Sequence, residues 1–424
     1  MRPAIRRWPA AILFAAACGQ GLSAQDGNVP AAVPAPAAPS MNDVAQLTFQ
    51  DKLMPALVLL ERLVEADPAM LGSGAQTWAY SGDIATADAW FARSSAAPRV
   101  AAPDLSDARP EPAIAAIVRA AEGKRIVIIN EAHHAPRHRA FTHRLMLALR
   151  EAGFTHFAAE TFTPRMPSLL EDGAPMVRTG PYIRDPVFAD LVRQAAKAGY
   201  GLVSYEMAFD QSLPGDPASR DAINHRELAQ ALNLKAALDA DPAMRVLVHV
   251  GFGHGNEAGS EAWLPFGARL EALTGENPLT IDQIEGTRQH DRAHDAPLYT
   301  AFVTQFGEPA EPMAIGNDPA RPLGNFRVDL SVIHPVQREV GGRPDWLAMG
   351  GYRKPHRVAL APLGERSLVR AFVAGEPALA IAMDQILVPA DAEAATLMLP
   401  AGDYRLVRQT VAGDDLPLGE AQIR

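Results

Sequence analysis

A run of β-branched residues, Ile126-Val127-Ile128-Ile129, breaks off into Asn130-Glu131-Ala132-His133-His134 and then into an amphipathic helix. Four apolar, β-branched side chains in succession leave neither face of a strand polar. That marks a strand buried on both sides, and hence a parallel sheet covered by helices. The chain holds 12 histidines, and four of them, His133, His134, His138 and His143, fall between Lys124 and His143. A buried strand that delivers a carboxylate and imidazoles at its carboxyl end is how open α/β sheets build sites.

The alternation recurs. Strands are predicted at Arg125–Asn130, His156–Ala159, Leu202–Tyr205, Arg245–Val250 and Leu279–Ile284. Helices are predicted between them at Pro112–Ala121, His138–Glu151, Pro186–Ala198, Arg220–Leu238 and Trp263–Leu273. Pro186 opens its helix and Gly199 closes it, as first-turn proline and terminal glycine should. The expected fold is therefore α/β, a mostly parallel sheet flanked by helices with right-handed crossovers, over residues 108–300. Residues 325–424, with short apolar runs between Gly/Pro turns from Phe326–Val332 to Tyr404–Val407, read as a small β-rich unit. Its strands could equally extend the main sheet.

Ahead of the α/β region, Leu53, Leu57, Leu60 and Leu63 recur at helical spacing, and Asp83–Ala92 gives a second helix. Residues 42–100 thus read as a helical hairpin resembling one tetratricopeptide pair. A lone pair cannot bury its own face in a solenoid, so it is expected to pack on the rest of the protein. Residues 25–41, rich in Pro and Ala, read as a disordered linker.

Residues 1–24 have the build of an export signal: arginines, the apolar Ala10–Ala17, and small residues up to Ala24. Cleavage after Ala24 competes with a lipoprotein route at Ala17-Cys18. The expectation is a periplasmic or secreted protein, or an outer-membrane lipoprotein anchored through Cys18. Cys18 is the single cysteine, which excludes an intrachain disulfide, a Cys-based metal site and, once the leader is removed, a cysteine nucleophile. The formal charge of −10 falls to −13 without Arg2, Arg6 and Arg7, which argues against a nucleic-acid partner or an anionic membrane surface.

Parallel strands place their carboxyl ends on one edge, so the residues just beyond each strand should converge. These are Glu131 and His133, then Glu160, then Glu206, then His254 between Gly253 and Gly255 with Glu257 after it, and finally Asp282 and Glu285. The adjacent His133 and His134 must point to opposite sides of an extended chain, so one of them faces the site. His138, near the helix start, can curl back toward the rim. Neither a Gly-x-Ser-x-Gly elbow nor a His-Glu-x-x-His helix occurs, which leaves serine-esterase and zincin mechanisms without support.

Glu131-Ala132-His133 with Pro136 and His138, Glu160 after the second strand, and Gly251-Phe252-Gly253-His254 together resemble the ChaN-like haem-uptake and erythromycin-esterase-like superfamily, which also takes in Tiki and TraB-type proteases. Asn130 stands where ChaN-like members carry glycine, and the doubled histidine satisfies both the Glu-x-His and the Glu-x-x-His spacing. Tyr182, Tyr205-Glu206 and the Arg220-Asp221 pair also resemble positions of this group, over roughly residues 110–290.

Two functions follow as expectations. One is an exported hydrolase of ester or amide bonds, with Glu131, His133 or His134, Glu160 and His254 as catalytic groups and His138, Tyr182, Glu206, Arg220, Asp221 and Glu257 around the ligand. His133, His138 and Glu160 would hold a divalent Zn, Mn or Co ion if one is used. The other is a cell-envelope protein that binds haem or another ligand without catalysis, through His133, His138 and Tyr182.

Overall fold

The computed structural model describes residues 38–94, 101–166, 168–318 and 321–424, so the expected leader, Cys18 and most of the Pro/Ala linker lie outside the described residues. Eight strands form the main sheet: β1 (Glu111–Pro112), β2 (Ile126–Glu131), β3 (His156–Ala159), β4 (Gly201–Val203), β5 (Val246–Gly251), β6 (Leu279–Asp282), β7 (Met313–Gly316) and β8 (Leu330–Ile333). Their order across the sheet is β1-β7-β8-β6-β2-β5-β3-β4. The run from β8 to β4 is parallel throughout, and β7 and β1 add an antiparallel edge.

The helices are α1 (Met41–Phe49), α2 (Leu53–Ala66), α3 (Leu71–Ala79), α4 (Ile84–Ser94), α5 (Ala113–Ala120), α6 (Pro136–Glu151), α7 (Pro186–Lys197), α8 (Arg220–Ala240), α9 (Phe266–Thr274) and α10 (Pro297–Phe306). Side chains of β2 divide by the two-residue period of a strand. Val127 and Ile129 enter a core with Phe141 and Leu145 of α6 and Phe188 of α7. Ile126 and Ile128 enter a second core with Leu234 of α8 and Phe266 of α9. This two-sided burial accounts for the unbroken apolar run in the sequence.

The chain winds from β2 through α6, β3 and α7 to the sheet edge at β4 on one face. It then returns through α8, β5 and α9 to β6 on the other face. Strand β5 slots between β2 and β3, and β6 lands beyond β2. Neighbouring strands β2 and β5 therefore send their following segments to opposite faces, which opens a crevice at their carboxyl ends.

The β-rich unit begins later than the sequence suggested. The strand around Phe326–Val332 belongs to the main sheet, where β8 pairs with β6 in parallel. The unit itself comprises β9 (Lys354–Ala359), β10 (Ser367–Val373), β11 (Asp384–Val388), β12 (Ala394–Leu399), β13 (Gly402–Gln409) and β14 (Asp415–Ile423). All its pairings are antiparallel, and Val358, Val369, Leu397 and Leu406 share its core. Arg353, wholly buried, ties it to Asp190 of α7 at 2.7 Å.

The N-terminal region holds four helices rather than the expected pair. Helix α3 has a weak sequence signal, because Gly72 and Gly74 lower its helix propensity. Gly74 is there for space, since a Cβ would stand 3.1 Å from the Trp90 ring on α4. These helices pack chiefly on the β-rich unit: Leu57, Leu60 and Trp78 share a core with Leu368 of β10, and Arg370 pairs with Asp51 at 2.5 Å. Helix α4 reaches across to the crevice, where Phe91 stacks on His134, and Tyr80 at the end of α3 donates to Pro181 O at 3.2 Å. Among the described residues no helix is long and apolar enough to cross a membrane.

Candidate active site

Glu131 continues the series of Val127 and Ile129, so it emerges on the α6/α7 side of β2. There Arg139 of α6 grips both of its oxygens, with Nε to Oε2 and Nη2 to Oε1 each at 2.6 Å. Asp185, the N-cap of α7, takes the other arm of Arg139 at 2.6 Å. His249 of β5 lies on the same side, its Nε2 3.6 Å from Glu131 Oε2. Burial favours the neutral acid, but Arg139 and His249 outweigh it and hold the Glu131 carboxyl well below the usual range.

An ionised carboxylate can only accept, so the 2.8 Å contact between His133 Nδ1 and Glu131 Oε1 has the imidazole as donor. Nε2 of His133 is then the basic nitrogen, and it makes no hydrogen bond among the described residues. The ring is held by Tyr182, centroids 4.1 Å apart, and by the edge-on ring of Phe252 at 5.0 Å. Phe252 takes the left-handed region at φ 44°, a strained turn by which β5 leads into the His254 segment.

Glu160, just past β3, comes to the same point. It accepts the Gly251 backbone N–H at 2.6 Å and Arg226 Nη2 at 2.8 Å. His254 Nε2 stands 3.8 Å from its Oε1. Burial raises the Glu160 carboxyl, but His254, Arg226 and His133 overcome this and bring it down to about 2. Gly251 is the residue that lets these groups meet. Its backbone, at φ −86°, suits any residue, yet a Cβ would lie 2.5 Å from His133 Nε2 and 2.9 Å from Glu160 Oε2.

His254 repeats the arrangement of His133. Its Nδ1 donates to Glu227 Oε1 at 2.6 Å. Glu227 is itself fixed by Trp263 Nε1 at 2.9 Å and the Phe266 backbone N–H at 2.6 Å. Burial works against the imidazolium, but Glu227 and Glu160 prevail and hold the His254 pKa above its ordinary value. Two imidazoles, each oriented through Nδ1 by its own buried carboxylate, thus turn toward one third carboxylate.

Of the other residues singled out from sequence, Glu206 supports the cluster: it pairs with Arg226 and accepts from Gln230 at 2.9 Å. It also lines a cavity of about 650 Å³ with Leu169, Leu202, Val203, Ala208 and Asn233. His134 points away from His133, stacked on Phe91 of α4 at 3.7 Å. His138 stays inside. Its Nδ1 accepts the Ala132 N–H at 3.0 Å and its Nε2 meets Thr287 Oγ1 at 2.9 Å, while one turn on Phe141 and Leu145 carry its stripe into the core. Arg220 and Asp221 are exposed at the start of α8, outside the cluster. Glu257 accepts from the Thr280 hydroxyl on the far side of β2, and Asp282 is engaged by Asn130 at 2.7 Å.

Of the three residues considered for a metal, His138 does not join His133 and Glu160, because both its ring nitrogens are spent in the interior, and Glu160 is already matched by Arg226. Among the described residues no group of three or more His, Cys, Asp or Glu side chains is arranged to hold a metal ion. The same placement of His138 separates it from His133 and Tyr182 as a set of haem ligands.

Arg139, Arg226, Glu227 and His249 were not read from the sequence as site residues. Glu227 did carry a signal. It sits in the stripe of Ala231, Leu234 and Leu238, and a charge in an apolar stripe must have buried partners.

Fold and site together define an α/β protein with a Glu/His cluster at the carboxyl edge of a mostly parallel sheet. The chain matches no family model and no curated protein. Among solved structures it is similar to the type III effector HopBA1 over 54% of this chain and 96% of that one, at 14% identity and a TM-score of 0.30.

Proposed function

We propose that the protein is a hydrolase of ester or amide bonds that works without a metal, and that it belongs with the erythromycin-esterase-like and ChaN-like proteins it resembles in sequence. The observation that carries this reading is the pair of carboxylate-oriented imidazoles, His133 on Glu131 and His254 on Glu227, turned toward Glu160. A base needs a fixed tautomer with its free nitrogen toward the reactant, and an acid needs a pKa high enough to carry a proton. His133 has the first property and His254 the second.

Water held between His133 Nε2 and Glu160 gives a proton to the imidazole as its oxygen attacks the carbonyl carbon. The oxyanion that forms lies near the His254 imidazolium and the Tyr182 hydroxyl, which burial and Glu160 keep protonated. On collapse the C–O or C–N bond breaks and His254 Nε2–H protonates the leaving atom. The proton on His133 returns through solvent to His254, which restores both groups and leaves a carboxylic acid with an alcohol or amine.

The test is hydrolysis of nitrophenyl ester and peptide amide libraries by wild type, His133→Ala and His254→Gln, with and without chelator. Turnover that survives chelator and falls by about 10²–10⁴-fold in each variant supports the proposal. Full turnover in His133→Ala on an identified substrate would overturn it.

A further inference from the structure

Asn130 and Glu131 end β2 side by side, and the two-residue period of a strand sends them to opposite faces. Glu131 faces α6 and α7 and orients His133. Asn130 follows Ile126 and Ile128 to the face covered by α8 and α9. The His254 segment turns over that face. Gly255 passes so close to β2 there that a Cβ would stand 3.1 Å from Ile128 Cγ2.

The buried side chain of Asn130 reaches the segments that follow the strands on either side of β2. Its amide nitrogen donates to Phe252 O at 3.0 Å, just beyond β5, and to Oδ1 of Asp282, the last residue of β6, at 2.7 Å. Its oxygen accepts the Gln283 backbone N–H at 2.9 Å. A carbonyl only accepts and a backbone N–H only donates, so these partners fix which end of the amide faces which. Asp282 in turn accepts the backbone N–H groups of Ile284 and Glu285 at 3.0 and 3.1 Å, which makes the turn after β6 a firm support. One amide thus braces three strand ends together.

The carbonyl that it holds belongs to a strained residue. Phe252 lies at φ 44°, a region that a bulky side chain rarely occupies. Such a residue keeps its conformation only where its surroundings over-determine it. His254 comes two residues later, with Nε2 3.8 Å from Glu160 Oε1. Relaxation of the backbone at Phe252 would swing the imidazole away from that carboxylate.

We propose that Asn130 is a positioning residue for His254: by holding the Phe252 turn against the end of β6, it sets the approach of His254 Nε2 to Glu160. The two neighbours at the end of β2 thus serve the two halves of the cluster, Glu131 the His133 half and Asn130 the His254 half. The effect on rate rests on the hydrolase reading; the effect on geometry does not.

Crystal structures of wild type and Asn130→Ala, with kinetics on the same full-length proteins, test this. In the variant Phe252 should leave the left-handed region and His254 Nε2 should recede from Glu160 by about 1 Å. His133 should keep its 2.8 Å contact with Glu131. On a substrate that wild type turns over, kcat should fall by about 10²-fold with KM little changed. Asn130→Asp has the same size and still accepts from Gln283, but loses the donor to Phe252 O, so it should show the same displacement. Displacement in the variants without any turnover by wild type would sink the hydrolase reading and support the brace. Phe252 and His254 unmoved in both variants would overturn the brace, whatever the activity. Equal displacement of His133 would mark a general loosening and overturn it too, as would failure of both variants to fold, which would leave Asn130 a role in stability alone.

Discussion

Arg139 holds both oxygens of Glu131 at 2.6 Å, with neither side chain more than 1% exposed. A buried guanidinium–carboxylate pair is costly to desolvate, and removing one partner strands the other. Arg139→Met should therefore destabilise the protein by about 3–5 kcal/mol in urea unfolding. Arg139→Lys should recover little, because one ammonium cannot span Glu131 and Asp185 together. A loss under about 1 kcal/mol in Arg139→Met would mean that Glu131 finds another partner or protonates.

The raised pKa of His254 has a consequence for rate. The imidazolium is the proton donor, so activity is present below its pKa and declines as pH rises through it. That alkaline limb should lie above the ordinary histidine value of 6.5. Glu227→Gln removes a charge that lifts this pKa, and the limb should move to lower pH. A profile of kcat/KM against pH that is unchanged in Glu227→Gln would remove His254 from the acid role.

Gly251→Ala is the sharpest steric test of the cluster. The backbone there tolerates alanine, but the new methyl would sit 2.3 Å from His133 Cε1 and 2.9 Å from Glu160 Oε2. The expected result is a folded protein with near-normal circular dichroism and a kcat reduced by about 10²-fold or more. Retained turnover would show that His133 and Glu160 need not approach each other.

How much of this was legible in the sequence depends on the range of the signal. Strand β2 announced itself because both its faces are apolar, and each residue at a strand end could be named because parallel strands end on one edge. The partners of those residues come from helices, where a buried charge is hidden among ordinary polar positions. Arg139 looks like any arginine of a basic helix until Asp185, 46 residues later, is seen to share it. His138 misled because its place near the rim in sequence said nothing of its stripe, which runs with Phe141 and Leu145 into the core. Strand β14 contains Pro417 and Gly419, which suit an edge strand with a bulge opposite Leu406/Val407 but suppress any strand signal.

Asp88 carries the last prediction, through its sign. Its folded pKa is raised to about 7 from 3.8, so its contribution to stability is fully present below the unfolded value and is lost as pH rises through about 7. Asp88→Asn removes the charge that burial disfavours. It should change Tm little near the acid end of this window and raise it above pH 7, relative to wild type. The side chain is 30% exposed, so water screens part of the effect and the gain should be a few degrees at most. Thermal scans of both proteins across that window, with chloride held constant, give the comparison. A lower Tm for Asp88→Asn on the alkaline side would mean that the carboxylate, once ionised, is stabilised by Arg137 more than burial opposes it.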